Sequence, residues 1–158
     1  FSPSRLGVLA VDYGAPRIGL AHSDASGTLA RPWKTIDRVG NPSQVARQLL
    51  DELAALAAGD EPVTAVVIGH PHRLNGAPTH QTVAVEEIAA RLRAIGPVPV
   101  VLQDERLSSH EAEDLLSRRE KDWRKRKAQL DAMAAAIILQ DYLDARGTSG
   151  APAEETEP

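Results

Sequence analysis

Short apolar runs broken by turn residues open the chain, and longer periodic stretches follow. Gly7-Val8-Leu9-Ala10-Val11 is continuous enough for a buried strand, and it ends on an acid, Asp12. Gly14 and Pro16 punctuate the next step, and Ile18-Gly19-Leu20-Ala21 resumes the apolar pattern. The pair predicts a strand, a tight turn and an antiparallel partner. Asp24 to Gly27 (DASG) reads as a second turn, because Asp, Ser and Gly supply side-chain acceptors and positive φ. A third strand is expected over Ala30 to Ile36, with Pro32 marking an edge position.

The period then changes. Pro42-Ser43 opens a helix in which Val45, Leu49, Leu53 and Leu56 recur at helical spacing up to Gly59. Val63 to Gly69 (VTAVVIG) is the apolar run of a central parallel strand. A punctuated loop, Gly69 to Pro78, leads to a second helix with Val85, Ile88, Ala89, Leu92 and Ile95 on one face, ended by Gly96-Pro97. Val98 to Leu102 is a fifth strand running into Gln103-Asp104-Glu105-Arg106. Ser108 and Glu111 make a capping box for a third helix near Glu111. The last helix is expected from about Gln129, with Leu130, Met133, Ala134, Ile137, Ile138 and Leu143 buried.

The order β-β-β-α-β-α-β-α-α predicts an α/β fold: a mixed five-stranded sheet, order 3-2-1-4-5, strand two antiparallel, helices on both faces. Strand one is then central, and its C-terminal end opens on the crevice where such sheets bind ligands. One domain is expected over residues 1–145, with a disordered acidic tail over 146–158 where Gly, Thr, Ser, Pro and Glu dominate.

Composition narrows the function. Aromatics are only 3% of residues, which argues against a module that stacks single-stranded bases on exposed rings. The net charge of -4 means that a nucleic-acid partner must be met by a local patch. There is no cysteine, which excludes thiolate metal sites and fits a reducing compartment. No apolar run approaches the ~20 residues of a membrane span, and nothing reads as a targeting segment.

The candidate chemistry is carboxylate chemistry. Asp12 ends strand one; Asp104 and Glu105 end the parallel strand five, so all three open on one sheet edge. Asp131, expected in the first turn of the last helix, can reach that edge if the helix packs across the sheet. Converging carboxylates suit Mg²⁺ or Mn²⁺, and two such ions about 4 Å apart activate water and stabilise the leaving oxygen of a phosphodiester. Plainer roles stand beside this one. Asp12 can accept from the turn amides, Asp104 and Glu105 can pair with Arg106, and Asp131 can be a helix-dipole acid. The basic stretch Arg118 to Lys127 around Trp123 is either a solvated face or a phosphate-binding arm. His70 and His72 flank Pro71 at the site edge at a spacing that matches no metal site.

Four stretches, VDYGAPRIGLAHSD, VVIGHPHRLNG, DERLSSHEAEDLL and KRKAQLDAMAAAIILQDYLD, carry a resemblance. In this order the chain resembles the YqgF/RuvX family of RNase H-like nucleases, known as Holliday junction resolvases or pre-16S rRNA nucleases. The resemblance implies an RNase H-like fold and makes Asp12, Glu105 and Asp131 both the catalytic residues and ligands of two Mg²⁺ or Mn²⁺ ions, with Asp104 a neighbour. It implies a bacterial cytoplasmic endonuclease acting on a four-way DNA junction or precursor rRNA. Arg17 and Arg106 fall on family motif positions, and with Arg124, Lys125 and Lys127 they are the expected substrate contacts. Junction cleavage calls for a homodimer, whereas rRNA processing needs only a monomer. Pro16 stands where a basic residue is frequent, His70 where an aliphatic one is usual, and Ser109 where threonine is common. Two other classes compete. One is an ATP-binding domain of the actin and sugar-kinase type, for which the chain is too short to supply a second lobe. The other is a non-catalytic nucleic-acid-binding module.

Overall fold

A computed structural model describes residues 7–14, 17–24, 26–59, 63–71, 76–96, 98–105 and 123–149. The elements are β1 (Val8–Tyr13), β2 (Arg17–Ser23), β3 (Ala30–Asp37), α1 (Pro42–Ala58), β4 (Ala65–Pro71), α2 (His80–Ile95), β5 (Val100–Glu105) and α3 (Trp123–Ser149). The strands form one five-stranded sheet in the order β3-β2-β1-β4-β5. β2 is antiparallel to β1 and β3, whereas β4 is parallel to β1 and β5. This is the expected order, with β1 central.

Local chemistry explains the elements. Asn41 caps α1 by accepting from the Gln44 amide while the Gln44 side chain returns to the Asn41 amide, so two orphan groups are satisfied together. Thr79 and Thr82 do the same for α2, and the Thr82 hydroxyl also donates to the Pro71 carbonyl, tying α2 to the end of β4. Pro32 does lie on the edge strand, opposite Ala21, where the β2–β3 register shifts.

Alternation along the strands sorts side chains onto two faces. Leu9, Val11, Ile18, Leu20, Val66 and Ile68 pack with Val45, Leu49 and Leu53 of α1 and Val85, Ile88 and Leu92 of α2. Val8, Ala10, Ala21 and Val67 pack with Ala135, Ile138, Leu139 and Leu143 of α3. The helices therefore cover both faces.

Several boundaries differ from expectation. β4 and β5 run later, to Pro71 and Glu105, because their parallel pairing continues through His70↔Asp104 and Pro71↔Glu105. α3 spans Trp123–Ser149, so the basic stretch from Trp123 is helical and the helix starts earlier than Gln129. The expected third helix near Glu111 and the rest of the tail lie outside the described residues.

Candidate functional site

The site is built at the sheet edge where β1, β4 and β5 end and β2 begins. Asp12 is the penultimate residue of β1, half-buried, and its cross-strand partner is Gly19. Two residues behind it, Ala10 packs under α3, so alternation puts Asp12 on the α3 face.

Gly19 explains how Asp131 arrives there. A Cβ on Gly19 would sit 1.8 Å from the Asp131 carbonyl oxygen and 2.3 Å from its carbonyl carbon. No side chain fits in that space, so glycine is what allows the α3 backbone to lie on β2 beside Asp12. The Asp131 carboxylate is then met by Arg17, the first residue of β2: Arg17 Nε donates to Asp131 Oδ2 at 2.9 Å, with the side chains 27% and 30% exposed. Asp131 lies well inside α3, which starts at Trp123, so it is not the first-turn acid of the helix-dipole reading.

The two acids of β5 separate. Val101 packs toward α3 and Val100 toward the other face, so Gln103 and Glu105 share parity with Val101. Glu105 thus ends β5 on the same parity that brings Asp12 to α3. Asp104 falls on the opposite face. It is the register partner of His70, whose Nε2 lies 2.9 Å from Glu86 Oε2 of α2. Asp104 therefore stands apart from Asp12 and Asp131, and His70 contacts α2. Among the described residues no three His, Asp or Glu side chains gather into a metal-binding group.

In α3, backbone positions 124 and 127 precede Asp131 by about two turns and one turn on the same stripe, whereas 125 is off it. Residues 124 and 127 thus share a backbone stripe with 131, and residue 125 does not. Arg106 and His72 lie outside the described residues.

Arg38 was not singled out by the sequence. Its Nη1 donates to the Tyr13 hydroxyl at 3.1 Å and to the Gly14 carbonyl at 3.4 Å, with the guanidinium carbon 5.2 Å from the Tyr13 ring centroid. It fixes the residues that follow Asp12. An arginine just past an edge strand is a weak signal, since only the folded sheet brings β3 back to the end of β1.

Asp12 and Asp131, whose backbones are set side by side through Gly19, carry oxygen donors of the kind that suit a hard divalent cation. Nothing in this arrangement suits a soft metal, because no thiol exists in the chain.

The chain is similar to several known proteins. A family model described as "RuvX: Holliday junction resolvase" matches residues 7–145. A Nocardioides sp. protein named "Putative pre-16S rRNA nuclease" is 41% identical, covering 97% of this chain and 98% of its own. A protein of the same name from Syntrophus aciditrophicus is 37% identical, covering 93% and 94%. Among solved structures, Thermus thermophilus RuvC aligns over 90% of this chain and 97% of its own, at 15% identity and a TM-score of 0.48.

Proposed function

The chain belongs to the RuvX Holliday junction resolvase family, and on that premise we propose that it is an endonuclease that hydrolyses phosphodiester bonds in structured nucleic acid with Mg²⁺ or Mn²⁺. The observation that carries the reading is the seating of the Asp131 backbone on Gly19, the cross-strand partner of Asp12. Two acids far apart in sequence are held at one sheet edge by a contact that tolerates no side chain.

Asp12, Glu105 and Asp131 are the residues assigned to hold the ions, and Asp104, on the other face, is left out. When bound, the ions supply Lewis acidity at the phosphate and neutralise charge developing on the leaving oxygen. The protein's own part is positioning. Gly19 sets the height of α3 over the sheet, Arg17 answers the charge of the Asp131 carboxylate, and Arg38 fixes the residues after Asp12. Arg124 and Lys127, which share a helical stripe of backbone positions with Asp131, are assigned to contact backbone phosphates. Lys125 and Arg106 stay as expected contacts, Arg106 lying outside the described residues.

The name shared by the curated relatives supports precursor 16S rRNA as substrate, and the family description supports a four-way junction, which would need a homodimer. Two labelled substrates, a precursor 16S fragment and a synthetic junction, are incubated with wild type and Asp12→Asn in Mg²⁺, Mn²⁺ and EDTA. The expected result is cation-dependent cutting of the rRNA fragment, lost by at least ~10³-fold in the variant. Preferential junction cutting by a dimer moves the substrate assignment. No cutting of either, with binding indifferent to the substitution, leaves a non-catalytic binding module.

A further inference from the structure

We infer that Arg17 is a resident counter-ion of Asp131 that a divalent cation displaces, so that loading the site hands the guanidinium to a substrate phosphate. The inference rests on the cation site proposed above and concerns how that site is loaded.

The starting point is the contact itself. Arg17 Nε reaches Asp131 Oδ2 at 2.9 Å through one nitrogen and one oxygen. It is a single-point contact rather than the parallel two-bond fork, the stronger way for arginine to hold a carboxylate. Both side chains are about a third exposed, at 27% and 30%. That exposure leaves the pair open to exchange with ions from solution, as a fully enclosed pair would not be.

Charge then decides what happens on loading. Asp131 brings one negative charge and Arg17 already answers it. A divalent ion at this carboxylate meets a positive group at contact distance, and like charges this close disfavour one another. Arg17 is anchored by its backbone as the first residue of β2, paired with Asp37, while its side chain is long enough to swing. The group it leaves for is the only kind of anion that a nuclease site brings in, a phosphate, for which guanidinium has matching geometry. Cation and phosphate therefore help each other in: each removes an obstacle to the other, and the coupling is reciprocal.

The alternative is that Arg17 permanently steadies Asp131 and stays when the ion binds. The two roles predict opposite signs. If Arg17 competes, neutralising it tightens cation binding. If it steadies, neutralising it loosens Asp131 and weakens cation binding.

The test is Mn²⁺ binding by the full chain, followed by the electron paramagnetic resonance of free Mn²⁺, for wild type, Arg17→Gln, Arg17→Lys and Asp12→Asn. Arg17→Gln is expected to bind Mn²⁺ about tenfold tighter than wild type. Arg17→Lys keeps the charge and is expected to stay near wild type. In parallel, binding of a synthetic four-way junction is measured with and without Ca²⁺, and the gain from Ca²⁺ is expected to be smaller in Arg17→Gln. Circular dichroism melts establish that each variant is folded. Mn²⁺ binding by Arg17→Gln that is unchanged or weaker overturns the exchange and makes Arg17 a fixed positioner. Wild type binding Mn²⁺ no tighter than Asp12→Asn removes the cation site itself, a failure of the proposed function that the Arg17 arm does not mimic.

Discussion

On one face of the sheet, Leu9, Val11, Ile18, Leu20 and Ile68 present long aliphatic side chains to α1 and α2. On the other, Val8, Ala10, Gly19 and Ala21 present short ones or none to α3, which answers with Ala135 and Ala136 beside the larger Ile138, Leu139 and Leu143. The first face keeps its helices at a distance set by bulky side chains and gains about 1.5–3 kcal/mol for each large residue buried. The second gains less area per residue, and its reward is approach: the α3 backbone touches the β2 backbone at Gly19. The thick face carries more of the stability, and the thin face brings Asp131 to Asp12.

The sharpest way to separate these roles is to damage the thick face. Leu49 of α1 is fully buried among the large aliphatics. Leu49→Ala is expected to cost about 3 kcal/mol, from lost transfer energy plus a cavity. For a domain of this size that is roughly 6–12 °C in Tm. Measured well below its new Tm, cutting per folded molecule should match wild type. A collapse of cutting in protein shown to be folded would mean that the two faces are not separable.

The thin face predicts the reverse. Gly19→Ala places a Cβ into backbone atoms of α3 that cannot rotate away. Overpacking of this kind costs about 1–3 kcal/mol, less than the Leu49 change. Yet α3 must lift, and Asp131 with it, so cutting and Mn²⁺ binding should fall by more than tenfold in protein that is still folded. Wild-type Mn²⁺ affinity in Gly19→Ala would show that the close approach is not what assembles the site.

Much of this division was legible in the sequence, and its failures are instructive. The strand order followed from apolar runs and the handedness of crossovers, because parallel strands need helical connections and those wind one way. The buried stripes of α1 and α2 followed from a period near 3.6. The start of α3 did not, since Trp123 to Gln129 carries no apolar stripe for periodicity to find. The end of β5 was set too early for a related reason. Gln103 to Glu105 look like a loop by hydropathy, and pairing with β4 keeps them in the strand. That extension separates Asp104 from Glu105 by parity, which no composition signal carries. Gly19 looked like an ordinary strand glycine until α3 was placed on it.

The smallest effect is expected at the far end of the thin face. Gln140 of α3 accepts from the Ala30 amide at 2.9 Å and donates to the Thr28 carbonyl at 3.0 Å, so α3 is pinned to the β2–β3 turn. Asp24 shapes that turn. Its Oδ1 accepts from the Ser26 hydroxyl at 2.9 Å and from the amides of Thr28 at 3.1 Å and Leu29 at 3.2 Å, and Gly27 takes the positive φ of 74° that the reversal needs. Desolvation by itself raises the Asp24 carboxyl pKa, but the hydrogen bonds from Leu29, Ser26, Thr28 and Gly27 outweigh it and leave the group below its ordinary value. A carboxyl with a lowered folded pKa binds its proton more readily in the unfolded chain. Its contribution to stability is therefore complete above the ordinary aspartate value of about 3.9 and fades as pH falls through the lowered folded value. Melting curves of wild type and Asp24→Ala should differ slightly at pH 7 and converge on acidification below about pH 4. A gap that persists unchanged at pH 2 would mean that the protonated Asp24 side chain holds the turn as well as the carboxylate does, and that the lowered pKa has no part in the turn's stability.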